Sequence, residues 1–359
     1  MTPLQREIAE LIRTDGPLSL ARYMALCLGH PRLGYYVTRD PLGRTGDFVT
    51  APEISQMFGE LVGLWCADAW VRMNQPAQIA LVELGPGRGT LMADTLRALK
   101  VVPALRAAVS VHLVETSPVL RQHQRMALAG AGVPIAWHDR LDEVPAGPML
   151  LIANEFLDAL PIIQLVRTPQ GWHERQVGLD GGTLAFGLSP VRYPDAAIPT
   201  AFGGVPIGSL IELSPARAAA ARDIAARVAT DGGAALLIDY GHALSGVGDT
   251  FQAVRGHAFA DPLSDPGEAD LTSHVDFAAL AAAAREAGAS VHGPVTQGAF
   301  LKALGIDARA ARLAAAAPDQ AEGIAAARHR LTGADAMGDL FKVLAVKDPR
   351  MGPLAGFEA

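Results

Sequence analysis

Seven residues, Glu83-Leu84-Gly85-Pro86-Gly87-Arg88-Gly89, join an apolar run to an amphipathic stretch. Strand, glycine loop and helix in that order open a nucleotide-binding βα unit. Three ligands compete for such a loop: a triphosphate, a dinucleotide and a sulfonium nucleoside. A triphosphate loop needs Gly-Lys-Ser/Thr, with the lysine on the phosphates, and none is present here. A dinucleotide loop is spaced G-x-G-x-x-G, whereas this one reads G-x-G-x-G with Glu83 two positions ahead of it. A carboxylate there repels a pyrophosphate and attracts an ammonium group. S-adenosylmethionine carries that ammonium and no phosphate. Gly85, Gly87 and Gly89 let the backbone approach its methionine part without a Cβ in the way. Glu115 closes the next apolar run, "SVHLVE". A strand-end acid there accepts the two ribose hydroxyls, a role shared with NAD enzymes. Asp139 follows a third run, "IAWH", and either accepts from the adenine amino group or caps a turn.

These residues need a sheet to align them. Near-continuous apolar runs at 79–84, 110–115, 134–138, 148–153, 234–239 and 341–346 predict strands covered on both faces. Helical spacing at 90–100, 117–129, 214–230 and 275–287 fills the gaps, which predicts an α/β, doubly wound, mostly parallel Rossmann-like sheet. Residues 3–14 and 19–29 add helices, and a further helix runs from about Glu53 to Met73. Residues 162–190 predict antiparallel strands turning at Asp180-Gly181-Gly182. The expected layout is an N-terminal helical extension over 1–75, a core over 76–347 and a tail over 348–359. Insertions at 162–213 and 294–338 form an antiparallel and helical subdomain.

The chain has 359 residues, half of them hydrophobic, enough for one large domain or two. A formal charge of −7 argues against a nucleic-acid partner. The two cysteines, Cys27 and Cys66, lie in apolar stretches and read as buried thiols. His242, His257 and His274 are too irregularly spaced for a zinc site, so no metal is expected. The acidic N-terminus lacks a signal core, and no run is long enough to span a membrane. These features predict a cytoplasmic, bacterial protein.

"VELGPGRG" resembles motif I of the class I S-adenosylmethionine-dependent methyltransferases. Three longer stretches extend the likeness: "TGDFVTAPEISQMFGELVGLW", "IANEFLDALPIIQLV" and the segment 239–277. Together they resemble the MidA family of methyltransferases through about residues 1–347. The resemblance implies a methyltransferase fold, S-adenosylmethionine as cofactor and S-adenosylhomocysteine as product. It also implies protein arginine as acceptor, on a subunit of respiratory complex I. A homodimer fits base rates. Two other readings are a non-catalytic assembly chaperone that uses the fold for binding and an NAD-dependent oxidoreductase. The intact loop argues against the first, and the glycine spacing and Glu83 against the second.

In the fold so implied, the fourth strand ends beside the methyl group, at Asn154-Glu155-Phe156-Leu157-Asp158. A guanidinium is charged at ordinary pH and its lone pairs are delocalised, so carboxylates must hold and polarise it. Glu155 and Asp158, three apart, would share a face of a helical turn, with Asn154 orienting the acceptor or cofactor. The same residues also suit a plain helix start capped by Asn154. Gly46, Asp47, Thr50 and Glu53 are expected in a lid, the first and third at the cofactor, the others at the substrate. Asp239, Tyr240 and His257 are expected to line the substrate site.

Overall fold

The computed structural model describes residues 1–38, 47 and 49–357. The chain forms two compact units: 49–157, 220–243 and 275–359 in one, and 1–48, 158–219 and 244–274 in the other.

The first unit is built on seven strands: β1 Ile79–Leu84, β2 Val109–Val114, β3 Ile135–His138, β4 Met149–Asn154, β5 Gly233–His242, β6 Ser290–Thr296 and β7 Phe341–Lys347. Their spatial order is β3-β2-β1-β4-β5-β7-β6, and a two-residue strand, Val275–Asp276, pairs with the end of β5. β3 through β5 run parallel, while β7 is antiparallel to both of its neighbours. The strand order reverses between β1 and β4, and ligands bind outside the carboxyl ends of strands at such a point. β4 and most of β5 are wholly buried, which is why they read as unbroken apolar runs. β6 was missed by periodicity, since 294–338 read as helices alone. It is a half-exposed edge strand broken by Gly293-Pro294, and both residues weaken a strand signal.

Helix Gln56–Arg72 belongs to this unit and not to an N-terminal extension. It buries Met57, Phe58, Leu61, Val62, Trp65, Cys66, Ala69 and Trp70 in the sheet's core. It approaches helix Thr90–Ala98 through Gly59 and Gly63. A Cβ on Gly63 would lie 2.9 Å from the Thr95 carbonyl, and one on Gly59 would lie 2.5 Å from Asp94 Cβ. Gly63→Val is therefore expected to cost roughly 1–3 kcal/mol through overpacking. Scanning calorimetry should show the melting transition lowered by several degrees. Helices Gln297–Ala303, Ile306–Ala316 and Ala321–Thr332 also join this unit. Arg309 grips the buried Glu60 with both Nε (2.7 Å) and Nη2 (3.0 Å). The expected tail is packed too, with Met351 and Leu354 in the core.

The second unit holds an antiparallel sheet of Leu18–Ser19, Ile163–Thr168, Gly171–Asp180, Thr183–Arg192 and Leu210–Leu213. Helices Pro3–Asp15 and Leu20–Gly29 bury Leu4, Ile8, Tyr23, Met24 and Cys27 with Ile162 and Val177 of that sheet region. A three-stranded sheet of Gln252–Arg255, Ala258–Ala260 and Asp270–Thr272 completes the unit. The linear division at residue 75 is thus corrected: residues 1–48 fold with two later segments. Both cysteine thiols are buried, and burial pushes each up to about 12. Among the described residues no helix is long and apolar enough to cross a membrane.

Candidate functional site

Gly85, Gly87 and Gly89 all take left-handed backbone, with φ of 60°, 52° and 86°. A side chain at any of them would be strained, and a Cβ on Gly85 would meet the Phe156 ring at 2.8 Å. Gly89 starts helix Thr90–Ala98 without a side-chain cap, so amides of its first turn face the loop.

Three acceptor residues share one face of the sheet by register. Glu83 pairs with Leu113 and Ile152, and Glu115 and Asn154 lie two residues beyond those partners. Glu83 is 3% exposed, and its Oε2 has no hydrogen-bond partner. Burial pushes its carboxyl up to about 8. Asn154 Oδ1 is likewise buried and unpartnered. Two orphaned acceptors at neighbouring strand ends cost free energy unless a donor arrives. The methionine ammonium of S-adenosylmethionine, with three N–H groups, is such a donor.

Glu115 is held differently. Ser117 N–H donates to its Oε1 (2.7 Å) and Gln124 Nε2 to its Oε2 (3.3 Å). Burial raises its carboxyl above the ordinary range, and these bonds oppose the shift. Gln124, which sequence reasoning passed over, is fully buried and ties three parts together. Its Nε2 also donates to the Gly87 carbonyl (2.8 Å), and its Oε1 accepts from Trp137 Nε1 (2.9 Å). The available signal was its helical phase, four residues after the buried Leu120.

A family model described as "Putative S-adenosyl-L-methionine-dependent methyltransferase" matches residues 61–295. The chain belongs to that methyltransferase family. Among its relatives is the mitochondrial protein arginine methyltransferase NDUFAF7 of Danio rerio, 40% identical over 85% of this chain and 77% of that one. The Homo sapiens protein of the same name is 39% identical over 86% and 75%. A crystal structure from Burkholderia thailandensis, bound to S-adenosyl-homocysteine, superposes with a TM-score of 0.87. It is 29% identical and matches 99% of this chain and 94% of its own. The α/β fold and the S-adenosylmethionine cofactor expected from sequence are therefore shown. The expectation of a cytoplasmic bacterial protein is corrected, since these curated relatives are mitochondrial proteins of eukaryotes.

Other residues of this methyltransferase depart from their expected settings. Residues 154–158 are not a helix: Asn154 ends β4, and Glu155 turns left-handed at φ 50°. Asp239 fixes that turn. It is fully buried, with Oδ2 accepting from Leu157 N–H and Oδ1 from Tyr240 N–H, both at 2.9 Å, which leaves little for a substrate. Tyr240 is half-buried, with its ring centroid 5.5 Å from that of Phe341. Glu155 Oε1 accepts from Ala51 N–H (2.8 Å) and Asn154 Nδ2 (3.0 Å). Glu53 Oε1 accepts from the Thr90 hydroxyl (2.5 Å). Thr50 precedes the turn Ala51–Ile54 without a side-chain capping bond. Asp139 is exposed and paired with Arg121 (2.7 Å), so an adenine contact there competes with an ion pair.

In the second unit, Asp158 and Asp270 are both buried, and Tyr36 donates to Asp270 Oδ1 (2.8 Å). Burial first, then the Asp158 charge, pushes the Asp270 carboxyl up to about 8. Asp270 opens the strand Asp270–Thr272. Asp47 accepts from Gly256 N–H (2.7 Å) and Tyr35 hydroxyl (2.6 Å), so its carboxylate holds the 255–257 turn. His257 is exposed on that turn, at φ 63°. Gly46 lies outside the described residues. Among the described residues no three His, Cys, Asp or Glu side chains converge as metal ligands.

Proposed function

We propose that this methyltransferase acts on an arginine side chain of a partner protein. The observation that carries the reading is the name of its curated relatives, protein arginine methyltransferase, at 39–40% identity over most of the chain. A complex I subunit is the acceptor that the MidA resemblance implies, with a homodimer as the assembly that base rates favour. The cofactor supplies an electrophilic methyl on a sulfonium. The protein's task is to hold one guanidinium nitrogen in line with it and to take up the proton released.

Asp158 and Asp270 suit the guanidinium. The charge of Asp158 raises the buried carboxyl of Asp270, a cation relieves such a pair, and a planar fork can bond both. Asp158 is assigned the holding role, and Asn154, Gly85, Gly87, Gly89, Glu83 and Glu115 the cofactor. The test is incubation with labelled cofactor and mitochondrial or bacterial extracts, followed by hydrolysis. Label is expected in methylarginine. Asp158→Asn should lower transfer by about a hundredfold with S-adenosylhomocysteine affinity unchanged. Label confined to lysine or carboxyl groups would overturn the reading.

A further inference from the structure

Glu155 is a non-glycine residue held at φ 50°, where an L side chain costs roughly 1 kcal/mol. Such strain persists where the surroundings impose it, and it clusters at functional positions. The carboxylate shows what the strain achieves. Its Oε1 accepts at once from Asn154 Nδ2 (3.0 Å) and from Ala51 N–H (2.8 Å). A carboxylate oxygen can accept only from the nitrogen of an amide, so this bond fixes which way Asn154 faces. Its Nδ2 is taken and its Oδ1 is left buried and unpartnered, on the same sheet face as the orphaned Glu83 Oε2. The Ala51 bond does a second job. The turn Ala51–Ile54 is pinned to the end of β4 by Glu155 and to the first residue after the glycine loop by Glu53 and Thr90.

We propose that Glu155 is a positioning residue for the cofactor: through Asn154 and the Ala51–Ile54 turn it presents an acceptor to the methionine end. On this reading it is not the group that removes the acceptor's proton. The inference rests on the cofactor site alone and not on the arginine reading.

Two variants separate positioning from mere structure. Glu155→Gln keeps an oxygen able to accept both bonds. Glu155→Gly removes the carboxylate while relieving the left-handed strain, so folding does not suffer from the backbone. Calorimetric titration with S-adenosylhomocysteine should show Glu155→Gln within about threefold of the parent. Glu155→Gly should bind tenfold or more weakly, at a melting temperature within several degrees of the parent's, because relief of the left-handed strain offsets part of the cost of the unmet Ala51 N–H. On an Asn154→Ala background the same glycine change should lose most of its effect, because the two residues act in series. Parent-like affinity in Glu155→Gly would overturn the proposal. So would a Glu155→Gln variant as weak as the glycine one, since the charge would then be the active feature. An unstable Glu155→Gly would do the same, because it would make the residue structural. A failed search for methylarginine leaves all three titrations readable.

Discussion

Glu115→Ala should lose S-adenosylmethionine affinity by about a hundredfold, on the scale of two hydrogen bonds to a charged acceptor. The carboxylate is already oriented before any ligand arrives, by Ser117 N–H on one oxygen and Gln124 on the other. A ribose diol therefore meets a preformed acceptor, and little ordering is lost on binding. Adenosine should weaken in parallel with the full cofactor, while free methionine should not. Glu115→Gln is expected to be nearly as damaging. Its new amide would set a donor against either Gln124 Nε2 or Ser117 N–H, and one buried donor would be left unmet. Equal adenosine affinity in the parent and Glu115→Ala would move the ribose site elsewhere.

The second large effect is proton linkage at Glu83. Its carboxyl, pushed up to about 8 by burial, is mostly neutral at pH 7 in the ligand-free protein. A cationic ammonium favours the ionised form, so binding should release roughly one proton near neutrality. Affinity should strengthen by up to about tenfold per pH unit between about 6 and 8. Titrations in buffers of different ionisation enthalpy read the proton directly, and a buffer-independent enthalpy would refute the linkage. Stability runs the other way. The folded-state value lies above the ordinary 4.5, so the native state binds the proton more tightly than the unfolded chain. That contribution is complete below about 4.5 and is lost as pH rises through about 8. Glu83→Gln should flatten this decline in the ligand-free protein and also weaken cofactor binding. Saturating cofactor should flatten it in the parent.

Much of the sheet was legible because buried parallel strands write unbroken apolar runs. β1, β4 and β7 each start or end within a residue or two of their apolar stretches. The glycine loop was legible because left-handed backbone next to a ligand restricts residue type severely. What failed was whatever depends on contacts distant in sequence. Asn154-Glu155-Phe156-Leu157-Asp158 has the composition of a helix start, but Asp239 captures the Leu157 amide from 82 positions away. That bond and the left-handed Glu155 turn the chain aside. Gln124 carries no motif, and its importance lies in three partners on three elements. The division into units was illegible for the same reason. Helix Gln56–Arg72 is apolar on nearly every side, so periodicity could not say which sheet it covers.

Strand β7 follows the other strands of this sheet in the sequence, yet it sits between β5 and β6 in the finished sheet. During synthesis β5 therefore waits with a bare edge of backbone donors and acceptors until Phe341–Lys347 leaves the ribosome. Such an edge is a template for pairing with other chains. The second unit waits too, since its three segments are complete only after residue 274. Vectorial synthesis thus delivers a nascent chain that is long, apolar and unfinished for most of its length, and such chains depend on chaperones. A premature stop anywhere before β7 yields an open sheet for quality control to remove, not a weaker enzyme.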